Sequence, residues 1–128
     1  MLPSRLAAAT ALSFVSLGAS PAAAPVAAPV QVINLASYAY APAPIRLRAG
    51  SAVTLQFVNR AGKSHDFTAR RFFGSARILA GRVVDGEVDL RGGQSTSVTL
   101  IPAAGRYPVH CGKPFHKMMG MRTTIVVQ

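Results

Sequence analysis

The sequence predicts an all-β fold, an antiparallel sandwich or barrel with a single hydrophobic core. Apolar and polar residues alternate through most of the chain, as Val53, Leu55 and Phe57 do with Thr54 and Gln56. A period of two is typical of strands that bury one face. The 128 residues are enough for one domain with one core, and no second domain is expected.

Seven segments have this alternation, and turns that contain glycine separate several of them. They are residues 31–35, 45–48, 51–59, 83–90, 95–101, 106–111 and 121–127. A further strand is expected to begin at His65, after a turn over residues 59–63. Several short strands at this spacing favour an antiparallel arrangement. Residues 70–80 break the pattern, because their apolar positions have helical spacing, which predicts a short helix or an irregular excursion.

The N-terminal quarter is predicted to lie outside this core. Residues 1–24 have a basic start, a short apolar run and then small residues, which is the layout of a secretory signal peptide. Cleavage is expected after Ala22 or Ala23, and an uncleaved anchor is the alternative. Residues 25–29 are interpreted as a proline-containing linker and residues 30–128 as the folded domain. We therefore expect a periplasmic or otherwise exported protein, without a transmembrane segment once the signal is removed.

The chain is strongly basic, with fourteen Lys and Arg against four Asp and Glu, and a net charge of +10. Such a charge speeds association with acidic proteins and with anionic membranes. Nucleic acid is the other common partner of basic proteins. Export and the lack of any nucleic-acid-binding motif disfavour it.

The residues around the single cysteine point to a metal site. Cys111 is followed by His116 and Met121, and His65 lies 46 residues before it. One cysteine cannot form an internal disulfide, and a free thiol in an exported protein is a liability unless a metal occupies it. Two imidazoles and a thiolate with a weak axial methionine make a blue-copper electron-transfer site. The alternatives are a buried structural cysteine and a structural or exposed His65.

The predicted strands also explain how these donors meet. Cys111 ends a strand in which Tyr107 and Val109 face the same side, and Met121 opens the last strand in an inward phase. The loop between them carries His116, so three donors are aimed at one point. His65 has to arrive from across the core. His110 precedes Cys111 and is expected to face the other side of the strand, as a surface residue or as an electron-entry site.

With these positions identified, the chain resembles the cupredoxins, and among them the plastocyanin and pseudoazurin group. The resemblance covers most of residues 30–128 and is specific at Asn59-x5-His65, Tyr107-x3-Cys111 and Cys111-x4-His116-x4-Met121. It implies a Greek-key antiparallel β-sandwich that binds one type 1 copper ion. The implied ligands are His65, Cys111, His116 and Met121.

Two departures from the family pattern affect the site. The step from Cys111 to His116 is similar to azurin-like loops, whereas the step from His116 to Met121 is similar to plastocyanin. Met118 and Met119 are therefore also within reach as axial ligands. We favour Met121, because it follows Gly120 and has the phase of the last strand. The second departure is Asp66, where the plastocyanin family usually has asparagine. An ionised carboxylate there would stabilise Cu(II) and lower the reduction potential.

The function predicted from these residues is that of an exported, monomeric carrier of single electrons. Its expected partner is an acidic redox protein or a membrane-bound redox enzyme, docked by Lys63, Lys113 and Lys117, with the electron passing through His116. A copper-storage or copper-delivery protein is the alternative. An enzyme is not expected, because copper oxidases and nitrite reductases need a further histidine-rich site, and the chain has three histidines.

Overall fold

A computed structural model describes residues 3–4, 9–20, 27–116 and 118–128 of the chain. The described residues among the first twenty are exposed and belong to no helix or strand. The predicted cleavage positions, Ala22 and Ala23, and residues 25–26 of the predicted linker lie outside the described residues. The signal peptide and the linker therefore remain predictions. None of the helices in the described ranges is long and apolar enough to cross a membrane.

In the described ranges between residues 30 and 127, ten strands and one short helix follow one another. The strands are β1 (Val30–Ala36), β2 (Ala39–Ala41), β3 (Ile45–Leu47), β4 (Val53–Asn59), β5 (His65–Thr68), β6 (Arg77–Ala80), β7 (Glu87–Leu90), β8 (Ser95–Ile101), β9 (Gly105–His110) and β10 (Arg122–Val127). The helix α1 (Arg70–Ser75) lies between β5 and β6.

The strands form two five-stranded sheets that pack face to face. One sheet has the order β2-β1-β4-β8-β6 and the other the order β3-β10-β9-β5-β7. The all-β sandwich predicted from the sequence is thus confirmed. The sheets are mixed rather than purely antiparallel, because β1 pairs with β4, and β3 with β10, in parallel. The chain crosses repeatedly from one sheet to the other, so strands that are neighbours in space are mostly not neighbours in sequence.

The core lies between the two sheets and is rich in phenylalanine. Phe57 of β4 packs on Phe67 of β5 with ring centroids 4.8 Å apart, and both side chains have no exposed surface. Phe67 also contacts Phe73 of the helix edge to face. Burying one such side chain stabilises the fold by about 1.5–3 kcal/mol. These aromatic contacts fix β5, and with it His65, against the opposite sheet.

Two predicted segments differ from the structure. Residues 83–90 are not one strand, because Val84 and Glu87 pair across a two-residue turn at Asp85 and Gly86, and β7 begins only at Glu87. Both turn residues have positive φ, at 52° and 74°, and Asp-Gly is a common sequence for such turns. Residues 70–80 begin with the expected short helix, and they continue into β6, which was not predicted.

Tyr107 fixes β9 just upstream of the cysteine. Its hydroxyl lies 3.0 Å from the carbonyl oxygen of Ala103 and 3.1 Å from that of Ala104, in the manner of a tyrosine corner. A Cβ at Gly105 would lie 3.0 Å from the tyrosine ring, so this position needs glycine for the close approach. The strand that leads to Cys111 is therefore held in place by its first residues.

Candidate metal centre

Three of the predicted donors come together at one end of the sandwich. The Sγ atom of Cys111 lies 3.4 Å from Nδ1 of His116 and 3.9 Å from Nδ1 of His65. One donor atom from each of these residues lies within 4.8 Å of the others. Cys111 and His65 are buried, and His116 is half-buried. The residues come from three places in the chain, the end of β9, the start of β5 and the loop before β10.

Cys111 is presented by an extension of the β9–β10 ladder. It lies one residue beyond β9, and its backbone N–H donates a hydrogen bond to the carbonyl oxygen of Met121 over 3.1 Å. Because side chains alternate along a strand, Cys111 faces the core with Tyr107 and Val109. Its thiol is 1% exposed. Cys111 thus lies at a strand end and faces the core, as the alternation predicts, and its role as a metal ligand remains a prediction.

Asn59 organises the turn that delivers His65. Its Nδ2 amino group lies 2.8, 3.1 and 3.0 Å from the carbonyl oxygens of Lys63, Leu90 and Arg91, and its two hydrogens are shared among these three acceptors. Its Oδ1 atom accepts from the backbone N–H of Ala61 at 3.0 Å. The side chain is 1% exposed, and these bonds satisfy backbone groups that are buried or partly buried. In the sequence, Asn59 was noted only for its spacing from His65. The structure shows that its side chain holds the turn that leads to His65.

His116 lies on the solvent side of the cluster. Its ring centroid is 4.6 Å from that of His65 and 5.3 Å from that of Tyr38, which meets it edge to face. Tyr38 belongs to the turn between β1 and β2, where it has a positive φ of 63°. The neighbouring Phe115 also has a positive φ, at 67°, and its side chain is 74% exposed. The loop thus holds the imidazole at the boundary between core and solvent.

The protonation states of the buried donors suit a metal ion. Burial, helped by the neighbouring His116, lowers the pKa of His65, so the imidazole is neutral, which is the ligating form. Burial raises the pKa of the Cys111 thiol, against the effect of backbone N–H groups that point at the sulfur. The metal-free thiol is therefore protonated at neutral pH. Binding of a metal has to release that proton.

The three methionines of the loop differ sharply in burial. Met121 has no exposed surface, whereas Met118 is 84% and Met119 59% exposed. The backbone N–H of Met121 donates to the carbonyl oxygen of His116 over 3.0 Å, which ties the methionine to the histidine. The inward phase predicted for Met121 is confirmed. Burial favours Met121 over the other two as a fourth donor.

The remaining predicted site residues have separate positions. His110 is half-buried on the outer face of its sheet, in register with Thr68 and Arg122, and so faces away from the cluster as expected. Lys63 is exposed. Lys113 is engaged in an ion pair with Asp89 (Nζ to Oδ1, 2.8 Å), which raises the pKa of its ammonium group. Lys117 lies outside the described residues.

Sequence reasoning missed how Tyr40 and Asp66 support the cluster. The hydroxyl of Tyr40 donates to the carbonyl oxygen of Asp66 over 2.6 Å, and the backbone N–H of Asp66 points at the Cys111 sulfur over 3.4 Å. Tyr40 is buried in β2, a strand of three residues that no alternation could reveal. Asp66 had been noted in the sequence as an acidic residue after His65 that would lower the reduction potential, but its hydrogen bonds to the cysteine loop were not predicted.

The residues present fit a copper ion. A thiol sulfur and two imidazole nitrogens converge within metal-ligand reach, and this donor set is the one that holds type 1 copper. In the described part of the chain, Nε2 of His65 is the only buried side-chain nitrogen or oxygen without a hydrogen-bond partner. The other ring nitrogen, Nδ1, is the one that faces the sulfur. The geometry thus directs one nitrogen of a neutral imidazole at the cluster.

Comparison with known proteins agrees with this fold. Residues 6–127 match the cupredoxin-like domain family. The chain belongs to the cupredoxins. The cupredoxin fold holds the His-Cys-His cluster with His65 and Cys111 buried and His116 half-buried. No curated protein sequence matches this cupredoxin significantly.

Solved structures show the same fold at low sequence identity. Auracyanin B is 23% identical, with 82% of this chain and 92% of that chain covered and a TM-score of 0.59. Auracyanin A, a "blue" copper protein from Chloroflexus aurantiacus, is 19% identical, with 77% and 99% covered and a TM-score of 0.54. The multicopper oxidase McoA from Aquifex aeolicus is 15% identical, with 82% of this cupredoxin but 31% of the oxidase covered and a TM-score of 0.61.

Proposed function

We propose that this cupredoxin binds one copper ion through His65, Cys111, His116 and Met121 and carries single electrons between redox partners. The observation that carries the proposal is the convergence of a buried thiol and two imidazole nitrogens within 4.8 Å of one another. Bound copper would supply a Cu(II)/Cu(I) couple that accepts and returns one electron. The auracyanin A described as a "blue" copper protein shares the fold and supports this choice of metal.

The protein's own contribution is to fix the donors before the metal arrives. Asn59 holds the turn before His65, and the hydrogen bonds of Cys111 and Met121 close the loop that carries His116. Soft sulfur suits Cu(I), and imidazole suits both valences. Donors held by backbone hydrogen bonds in a packed core move little when the charge of the site changes, which favours rapid electron exchange.

Electrons would enter and leave on the side of His116. Its ring is half-buried, whereas His65 and Cys111 are 1% exposed, so the shortest route from solvent to the site runs through this imidazole. Lys63 is exposed near the same end and is available to an acidic partner. Lys113 is less available to an acidic partner than its sequence position suggested, because it already makes an ion pair with Asp89.

The proposed setting is the periplasm or another exported compartment. The signal-like residues 1–24 favour export, and a bound metal would protect the single unpaired cysteine in an oxidising compartment. The net charge of +10 favours an acidic redox protein or a membrane-bound redox enzyme as partner over a neutral one. We propose a monomer that does not bind nucleic acid.

A carrier is preferred over an enzyme because of the histidine count. With His65 and His116 assigned to the proposed site, His110 alone remains for a second copper centre. This chain spans 31% of the length of McoA, so most of that oxidase has no counterpart in it.

Copper delivery is the second candidate, and the exposed methionines favour it. Met118 and Met119 place two thioethers in solvent on the loop that carries His116. Thioethers select Cu(I), so these residues would suit a protein that hands over the ion itself.

The visible spectrum after addition of Cu(II) tests the proposed function. The parent protein should develop an intense charge-transfer band that disappears on reduction and returns on oxidation, and Cys111→Ser should lack it. An electron carrier should keep its copper through repeated cycles in the presence of a Cu(I) chelator. A delivery protein should lose it. Equal absorption in the parent and in Cys111→Ser would refute the thiolate site.

A further inference from the structure

Asp66 combines burial, a negative charge and direct contact with the cysteine loop. It is 1% exposed although its side chain lies on the outer face of β5. Its Oδ1 atom accepts a hydrogen bond from the backbone N–H of Gly112 over 2.8 Å and another from Oγ1 of Thr68 over 2.7 Å. Its own backbone N–H donates to Sγ of Cys111 over 3.4 Å. One residue therefore holds both the sulfur and the peptide that follows it.

The cysteine loop covers this carboxylate closely. A Cβ at Gly112 would lie 3.3 Å from Oδ2 of Asp66 and 3.7 Å from its Oδ1 atom. The absence of a side chain at Gly112 lets the backbone approach the acid and shield it from water. The position of the charge relative to the sulfur is thus fixed by the fold, not by a mobile side chain.

The charge of Asp66 is only partly balanced by its neighbours. The ammonium group of Lys113 makes its ion pair with Asp89, the residue in register with Asp66 on β7. Oxygen atoms of Glu87 and Asp89 lie within 4.8 Å of Asp66, which adds negative charge at this edge. A buried charge is screened much less by water and salt than an exposed one.

We propose that the Asp66 carboxylate sets a low reduction potential for the metal centre, while its hydrogen bonds hold the cysteine loop in place. The inference rests on the proposed copper site and adds a residue that tunes it without binding the metal. When the site gains one electron from a donor, its total charge falls by one. A fixed negative charge stabilises the more positive, oxidised form and so opposes the reduction.

Replacement by asparagine separates the charge from the hydrogen bonds. Asp66→Asn keeps an Oδ1 acceptor for Gly112 and Thr68 and keeps the backbone N–H that faces Cys111. Asp89→Asn is the matched control, since it removes the same charge at the facing position, where the side chain is 56% exposed and paired with Lys113. Reduction potentials of the copper-loaded parent and variants would be measured by mediated redox titration, with Cu(I) and Cu(II) affinities measured separately.

The expected result is a rise in potential in Asp66→Asn that greatly exceeds the change in Asp89→Asn. We expect the Cu(II)-to-Cu(I) affinity ratio to fall by about tenfold, which is about 59 mV for a one-electron couple. The rise should persist at high salt, whereas any change in Asp89→Asn should shrink. Equal shifts in the two variants, or an unchanged affinity ratio in Asp66→Asn, would overturn the inference.

A second variant covers the case in which Asp66→Asn does not fold. Asp66→Ser also removes the charge, in a smaller side chain, and should raise the potential in the same direction. A potential that is unchanged in Asp66→Ser contradicts the inference. Failure of the proposed function itself has a different signature, because the parent protein would then develop no thiolate-to-copper absorption at all.

Discussion

The backbone N–H of Cys111 donates a hydrogen bond to the carbonyl oxygen of Met121 over 3.1 Å. The two residues therefore occupy paired positions at the ends of the loop that carries His116, and both side chains are buried. This pairing makes the loop a closed unit, anchored on β9 and β10, whose length is fixed by the ladder. Neither Met118 nor Met119 is anchored by burial in this way.

Replacement of the three methionines separates their roles. Met121→Leu should raise the reduction potential of the copper-loaded protein, because loss of a weak thioether donor destabilises Cu(II) more than Cu(I). Its cost to the free energy of unfolding should stay below about 1.5 kcal/mol, since the two side chains have similar volumes. Met118→Leu and Met119→Leu are the matched controls and should change the potential little. A large shift in either control, with none in Met121→Leu, would reassign the axial position.

Asn59 should contribute to stability and to metal binding together. Asn59→Ala removes a buried amide that satisfies three carbonyl groups and one N–H group, so we expect a loss of about 3 kcal/mol in the free energy of unfolding. Copper affinity should fall as well, because the turn before His65 loses its support. Denaturant unfolding of the metal-free protein and a copper titration measure the two effects.

Asn34→Ala is the control for that experiment. Asn34 also uses its side-chain amide, but its bond with Nε of Arg60 (3.0 Å) is exposed. Its removal should cost less than about 0.5 kcal/mol. Comparable losses in the two variants would mean that the buried network of Asn59 has no special role.

The residues that could be predicted from the sequence are those whose alternation of apolar and polar side chains matches their burial in the structure. The segment 95–101 is β8 to the residue, because the buried Val98 and Leu100 alternate with less buried positions. The side chains of Cys111 and Met121 face the core because the same alternation continues one residue beyond the end of β9 and one residue before the start of β10. His65 was a candidate from its residue type, and the family resemblance, now confirmed, implied it as a ligand, but no local pattern could show how it approaches across the core.

The residues that escaped prediction depend on contacts between distant segments. Strand β6 is exposed along its whole length, so no alternation of burial marks it. Asp66 contacts the cysteine loop through Gly112, which lies 46 positions away in the chain. The Asp85–Gly86 turn had a local signal, but the surrounding acidic alternation resembled one continuous strand.

The two histidines should differ in their response to free imidazole. His116→Gly leaves a gap that opens toward solvent, so added imidazole should enter it and restore much of the charge-transfer band. His65→Gly leaves a gap behind a surface that is 1% exposed, and imidazole should restore little. Both variants should bind copper at least about tenfold more weakly without imidazole, since each loses one of the four proposed ligands. Spectra recorded during an imidazole titration test the difference, and equal rescue of both variants would show that burial does not control access.

Tyr40 should make stability depend on pH in the alkaline range. Burial, reinforced by the negative charges of Cys111 and Asp66, raises the pKa of its phenol far above the ordinary value of 10.0. Above pH 10 the phenol therefore ionises in the unfolded chain but not in the folded one. The unfolded state then binds fewer protons, so the free energy of unfolding falls by about 1.4 kcal/mol per pH unit from this group.

Tyr40→Phe isolates that contribution. At pH 8 the variant should be about 1 kcal/mol less stable than the parent, because it lacks the hydrogen bond to the Asp66 carbonyl. Above pH 10 the parent alone loses stability through this phenol, so the difference should shrink and then change sign about one pH unit higher. Other titrating groups are common to both proteins and cancel in the comparison. Denaturant unfolding of the two metal-free proteins from pH 8 to pH 11 measures the difference, and a constant value across that range would contradict the burial of a neutral phenol beside the cysteine.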